Sequence, residues 1–282
     1  MEMEEFRSGK KSLELLCYVA GAGAFGVFIR WLQQQLAFNE LGLPDKSIFH
    51  AVVVLFVVAA AVVFASFIQR FHKQHLYLPD EFSLAFSNEG RLYLAVRIVS
   101  GLVLCVGAIL LFMQTDTDQN SSDYRFLAIL GLLSGICFPL WLGSADRKTA
   151  PSPGFLCVTA FFPMLFLAAW MVICYKFNTI NSVIWSFILE LGTVAVSMFA
   201  FFRLGGYVFG RPKWQRCLFS CMMASALCIM CLADNRYLGM QIIFLAIAME
   251  LLTCCWIIVK NLQKGAVPPK KEKSTGGFES LT

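Results

Sequence analysis

Glu190 and Glu250 each sit in the middle of a long apolar run, Ser182–Phe202 and Leu238–Val259. Both runs read as membrane spans travelling in the same direction, so the two carboxylates are expected at similar depth. A charged side chain at the centre of a transmembrane helix costs about 2.5–3.5 kcal/mol on insertion scales. Neither should therefore face lipid, and each needs a partner or a proton. Two chemistries fit them. One is a proton- or cation-linked site near the midplane, and the other is an interhelical hydrogen bond that only fixes packing. Arg97 lies slightly inside another apolar run. It can serve as counter-charge to a glutamate or as an anion contact. It can also snorkel to the nearby interface, which its closeness to the span end favours. Glu190, Glu250 and Arg97 together form the candidate intramembrane polar site. No third intramembrane carboxylate joins them.

Other reactive residue types lack the spacing their chemistry needs. Cys228 and Cys231 form a Cys-x-x-Cys, which could carry thiol–disulfide exchange. A relay would need a second pair beside it, and Cys254 and Cys255 are expected towards the opposite side of the membrane. Packing is the simpler reading of these cysteines and of Cys217 and Cys221, because in a span Cys is a small, weakly polar residue. Of the three histidines, His72 and His75 flank Lys73 without a carboxylate or cysteine at ligand spacing, and His50 sits at a span end. No metal site, zinc or haem, is expected. No nucleophile–base set, intramembrane protease pair or nucleotide loop appears, so the chain leans away from an enzyme, and no cofactor is implied. Ala22 and Gly26 are four apart and present a small face for close helix approach, within the chain or to a partner.

The elements that must position these residues follow from composition. Of 282 residues 58% are hydrophobic and 15% charged, and the mean hydropathy is +0.68. Soluble domains carry about 25% charged residues, so the bilayer is the solvent. A hydrocarbon core about 30 Å thick takes about 20 residues at 1.5 Å rise. Eight runs of that kind occur, at Leu13–Leu32, Phe49–Gln69, Tyr93–Met113, Phe126–Leu142, Phe155–Tyr175, Ser182–Phe202, Arg216–Ala233 and Leu238–Val259. The fold expected is all-α, a polytopic bundle of eight transmembrane helices over residues 13–262. Residues 1–12 are read as a cytoplasmic segment and 263–282 as a disordered basic tail. The first run is too long for a signal-peptide core and reads as a retained span.

Lysines and arginines set the orientation. With the N-terminus inside, only Arg30, Lys46, Arg125, Lys176 and Arg236 of the 23 fall outside. Both termini are thus expected in the cytoplasm. Trp31, Trp141, Trp170, Trp185, Trp214 and Trp256 all lie near span ends, where an indole meets both lipid and water. Glu14 and Arg30 are expected at the two interfaces. Asp80–Phe86 could form a short interfacial helix with Phe82, Ala85 and Phe86 on one face. Ser152 and Pro153 read as N-cap and first helical residue, and Pro163 should kink its helix. The loop Gln114–Asp123 is acidic and rich in Ser and Asn.

Phe209-Gly210-Arg211-Pro212 and Leu232-Ala233-Asp234, within the stretch from Phe201 to Tyr237, resemble a segment of uncharacterised multi-pass membrane proteins of clostridial Firmicutes. The resemblance implies a bacterial cytoplasmic membrane and brings no activity with it. Two functions are weighed from the residues themselves. The first is handling of a small solute or ion at the acidic site, with water access and broken helices near Pro163. The second is a non-catalytic membrane component that packs on a partner. The partners implied are the lipid bilayer and, through Ala22 and Gly26, a membrane protein or a second copy of the chain. Nothing points to nucleic acid.

Overall fold

In lipid a backbone can satisfy its polar groups only within its own segment, which makes each long apolar run a helix. The computed structural model describes residues 2–38, 47–74, 76–79, 82–86, 91–114, 121–143, 153–178, 183, 185, 187–208 and 213–264. Among these, eight helices are long and apolar enough to cross a membrane. They are α1 (Glu2–Leu36), α2 (Ser47–Lys73), α4 (Arg91–Gln114), α5 (Ser121–Gly143), α6 (Pro153–Asn178), α7 (Ile188–Val208), α8 (Trp214–Met230) and α9 (Leu238–Lys260), with the four-residue α3 (Phe82–Ala85) between α2 and α4. The chain is an all-α, eight-span integral membrane protein. The acidic loop 115–120, His75, Asp80, Glu81, Ser152, the segment 209–212, the tail 265–282 and the side chain of Trp141 lie outside the described residues.

α4 packs on α5 and α9, α5 on α6, α6 on α7, α7 on α8 and α8 on α9, which closes a ring of six helices. α1 lies against α8 and α9, and α2 against α1 and α8. α8 and α9 are thereby covered on both sides. Every residue from Cys221 to Cys228 is buried, and the Ser, Ala and Cys in that stretch let neighbouring helices close in. Aromatic rings fill the middle. Phe138 stacks on Phe201 at 5.5 Å between ring centroids, and Trp170 meets Phe244 at 4.7 Å and Phe166 at 5.6 Å.

Glycines set the closest crossings. A Cβ added to Gly101 would lie 2.5 Å from the carbonyl oxygen of Gly135, and one on Gly239 would lie 2.5 Å from the amide nitrogen of Leu111. α4 thus touches α5 and α9 backbone to backbone. Gly26 faces Phe56 and Met230, and Gly23 faces Ile229. The small face anticipated on α1 therefore serves α8 and α2 of the same chain, with Ala22 half-buried beside it.

Differences from expectation cluster at helix ends. α1 is continuous from Glu2, with no break near residue 12. α7 begins at Ile188, six residues later than expected, and runs through Gly205 and Gly206 to Val208. α6 starts at Pro153 as expected and runs unbroken through Pro163. Phe82, Ala85 and Phe86 do share one face, but that face is buried. Phe86 meets the ring of Tyr207 at 5.2 Å, and Asn261 Nδ2 donates to the Ala85 carbonyl at 2.8 Å. At the same end, which we call the basic end, Leu76–Tyr77 pairs antiparallel with Gln263–Lys264.

Candidate functional site

The end of the bundle opposite the basic end holds polar side chains from α1, α2, α6, α7, α9 and the α8–α9 turn, with Trp185 before α7. Arg30, near the end of α1, is 3% exposed, although the sequence placed it at the interface. Its Nε donates to Asp234 Oδ1 at 2.6 Å, in the turn between α8 and α9, and Nη1 donates to Gln33 Oε1 at 2.6 Å. Gln34 Nε2 donates to the same Asp234 oxygen at 2.9 Å, and Gln241 Nε2 to the Asp234 carbonyl at 2.8 Å. Gln33 Nε2 lies 2.6 Å from His50 Nδ1. An arginine can only donate, so Gln33 must turn its oxygen to Arg30 and its NH2 to His50. His50 Nδ1 therefore accepts, and the neutral ring carries its proton on Nε2. The ring stacks on Trp185 at 4.6 Å, in the segment that precedes α7. Trp185 also turns its carbonyl toward the Arg30 guanidinium, 3.4 Å from Nη1. This docking holds Trp185 outside α7.

Glu190 belongs to this end. It lies in the first turn of α7, where the late helix start puts it, and not near mid-span. Trp170 Nε1 donates to its Oε1 at 2.9 Å, and Arg236 Nη2 stands 2.9 Å from Oε2. The arginine approaches obliquely, so the contact is ionic more than hydrogen-bonded. Trp170 is wholly buried and supports this carboxylate instead of sitting at the lipid interface. Arg30 and Arg236 balance Asp234 and Glu190, and the cap is close to neutral.

Glu250 lies elsewhere. Arg236, which pairs with Glu190, precedes α9, and Glu250 is 14 residues further on, about 20 Å along a helix. The two glutamates are at different depths and in separate networks. Glu250 is linked to Arg97 through Ser100 and not by an ion pair. Both are fully buried. Arg97 is six residues, about 9 Å, into α4, and it turns into the bundle instead of snorkelling. Ser100, one turn on, has its Oγ 2.5 Å from Glu250 Oε2 and 2.9 Å from the Arg97 carbonyl. Among the described residues, Arg97 Nε, Nη1 and Nη2 and Glu250 Oε1 have no hydrogen-bond partner.

All eleven cysteines are thiols. Cys228 Sγ is 3.5 Å from Ser197 Oγ, and Cys231 Sγ is 3.1 Å from Thr193 Oγ1. They act as packing residues of the α7–α8 contact. Cys217, Cys221, Cys254 and Cys255 are all buried in the α8–α9 contact. No group of three or more His, Cys, Asp or Glu among the described residues is placed to hold a metal ion.

The sequence reading missed the cap. Its signal was present, since Arg30, Gln33 and Gln34 fall at i, i+3 and i+4 on one face of α1, but Asp234 reads as a loop acid until the turn folds over them. No family model, curated protein or solved structure matches the chain.

Proposed function

We propose that this protein handles protons or a small charged solute at Arg97, Ser100 and Glu250, in a bacterial cytoplasmic membrane with both chain ends inside. The observation that carries the reading is the wholly buried Arg97 guanidinium, which has no acceptor among the described residues, beside Ser100, whose hydroxyl reaches a buried carboxylate with an unused oxygen. A buried hydrogen-bonding group left unmet costs about 1–3 kcal/mol, and more if charged. Such a cost is offset when water or a charged solute enters.

The Ser100 hydroxyl offers a route for a proton. With its hydrogen directed at Glu250, the carboxylate is ionised. With the proton on Glu250 Oε2 directed at Ser100, the hydroxyl turns its own hydrogen to the Arg97 carbonyl. Both arrangements fit the same heavy-atom positions. Glu250 can thus gain or lose a proton without rearrangement of the helices. The unbroken α6 removes the expected discontinuous helix near Pro163 from this reading, and Glu190 is not part of the site.

Flux in reconstituted vesicles tests it. Wild-type protein should dissipate an imposed proton, Na+ or K+ gradient faster than empty vesicles. Glu250→Gln should lose at least tenfold of that rate, while Glu190→Gln keeps it. Wild-type vesicles that behave as empty ones under all three gradients would remove the proposal. The second reading, a non-catalytic component, then leads. It is favoured by α2, which packs chiefly on α1 and α8 among the described spans and leaves Leu55 69% and Val62 60% exposed.

A further inference from the structure

A cleft of about 340 Å3 opens between α1 and α2 on the membrane-facing side, with Tyr18, Gly21, Ala22, Phe56, Ala60 and Phe64 among its walls. Its wall is apolar apart from Cys17 and the Tyr18 hydroxyl. An apolar cavity of about 150 Å3 accommodates benzene, so this cleft has room for a longer hydrocarbon. Gly21 opens into it, since an added Cβ there would meet nothing within 4 Å.

The cleft leads towards charge. On α2, Phe56, Val63 and Arg70 are seven apart and share one stripe, which places Arg70 about 10 Å beyond Val63 at the basic end. Tyr18 and Phe67, 5.8 Å between centroids, flank the way there. Gln215 Nε2 lies 2.8 Å from His72 Nδ1 and ties the end of α2 to the start of α8. Lys213 and Arg216 of that start, with Arg70 and Lys73, make four exposed cations around one corner. Glu14, on α1, is an exposed carboxylate on this side. The opposite end differs, since Arg30, Lys176 and Arg236 are each committed to a carboxylate of the chain.

We propose that this cleft is a binding site for an anionic phospholipid, with one acyl chain between α1 and α2 and the phosphate on the cationic corner of α2 and α8. A lipid headgroup satisfies both halves at once. Acyl chain and phosphate are covalently joined and span the apolar-to-charged boundary, as the cleft and its rim do.

The test is retention of lipid by the full chain purified in mild detergent, read by native mass spectrometry after incubation with equimolar phosphatidylglycerol and phosphatidylcholine. Wild type should hold phosphatidylglycerol at least fivefold over phosphatidylcholine. Arg70→Gln with Lys73→Gln, both exposed and far from the packed core, should reduce that ratio to near one. Gly21→Leu, which fills the cleft, should lower retention of both lipids. Equal retention of the two lipids by wild type overturns the proposal, as does a ratio unchanged in the rim variant. Disulfide-linked dimers from Gly21→Cys would also overturn it, by giving the cleft to a second copy of the chain. If Gly21→Leu fails to fold, the rim variant alone decides.

Discussion

A buried charge is most expensive when its partner is removed. Replacing one member of a buried pair costs about 3–5 kcal/mol, because the other is left uncompensated. Arg30 and Asp234 are both nearly inaccessible and are joined at 2.6 Å. Asp234→Asn should therefore lower the thermal midpoint in detergent sharply, and Arg30→Met combined with Asp234→Leu should recover most of the loss. Glu190→Gln should be milder. Its amide oxygen still accepts from Trp170, and Arg236 is a quarter exposed, so solvent screens the ion pair that is lost. A loss of about 1 kcal/mol or less is expected. Comparing the three melting curves separates a cap held by one central pair from one whose members contribute equally. At the other site, Arg97→Met should lower the thermal midpoint less than Asp234→Asn, since no hydrogen bond to its guanidinium is lost within the described residues.

Helices here are positioned by what their small residues permit. Gly101 and Gly239 bring α4 into backbone contact with α5 and α9. Alanine at either must push a helix outward, and overpacking of this kind costs about 1–3 kcal/mol. Gly192, in α7, has nothing within 4 Å of an added Cβ. Gly192→Ala should stabilise by about 0.5–1 kcal/mol through helix propensity alone. The same substitution thus has opposite signs at two sets of positions, read as the shift in midpoint of a thermal or denaturant scan. α4 carries Arg97 and Ser100 as well as Gly101, so Gly101→Ala should also reduce any flux that depends on Glu250. Gly192→Ala should leave it unchanged.

For the whole molecule, the asymmetry of charge predicts its sidedness. A green fluorescent protein fused after Thr282 should fluoresce, which requires a cytoplasmic C-terminus. Alkaline phosphatase fused within residues 115–120 should be active, which requires the other side. The reverse pattern would invert the bundle and put Arg97 nearer the outer face. The two ends also differ in what they can do. At one, a neutral cap locks α1, α2, α7 and α9 together with four carboxylate and arginine groups. At the other, exposed cations stand at one corner beyond a lipid-facing cleft. The inferred proton site lies between them, closer to the basic end.

Span number and helix type were legible because a 20-residue apolar run in lipid has one way to satisfy its backbone. Seven span positions agree with the sequence to within a few residues for that reason, and the shared face of Phe82, Ala85 and Phe86 follows from helical spacing, although its burial does not. The sixth span was misplaced because hydropathy cannot tell an apolar helix from an apolar segment that docks on a polar network. Trp185 stacks on His50 instead of extending α7, and Glu190 moves from mid-span to the first turn. Depth along one helix is a local quantity, whereas partnership depends on which helices are neighbours. Ring closure of α4 on α9 brings Arg97 and its neighbour Ser100 to the level of Glu250, and the α8–α9 turn brings Asp234 to Arg30. Those pairs are 153 and 204 residues apart in the chain, and no periodicity within a single span encodes them. Sequence alone determined that these charges need partners, because lipid offers none. Only the tertiary packing decided which partners they found.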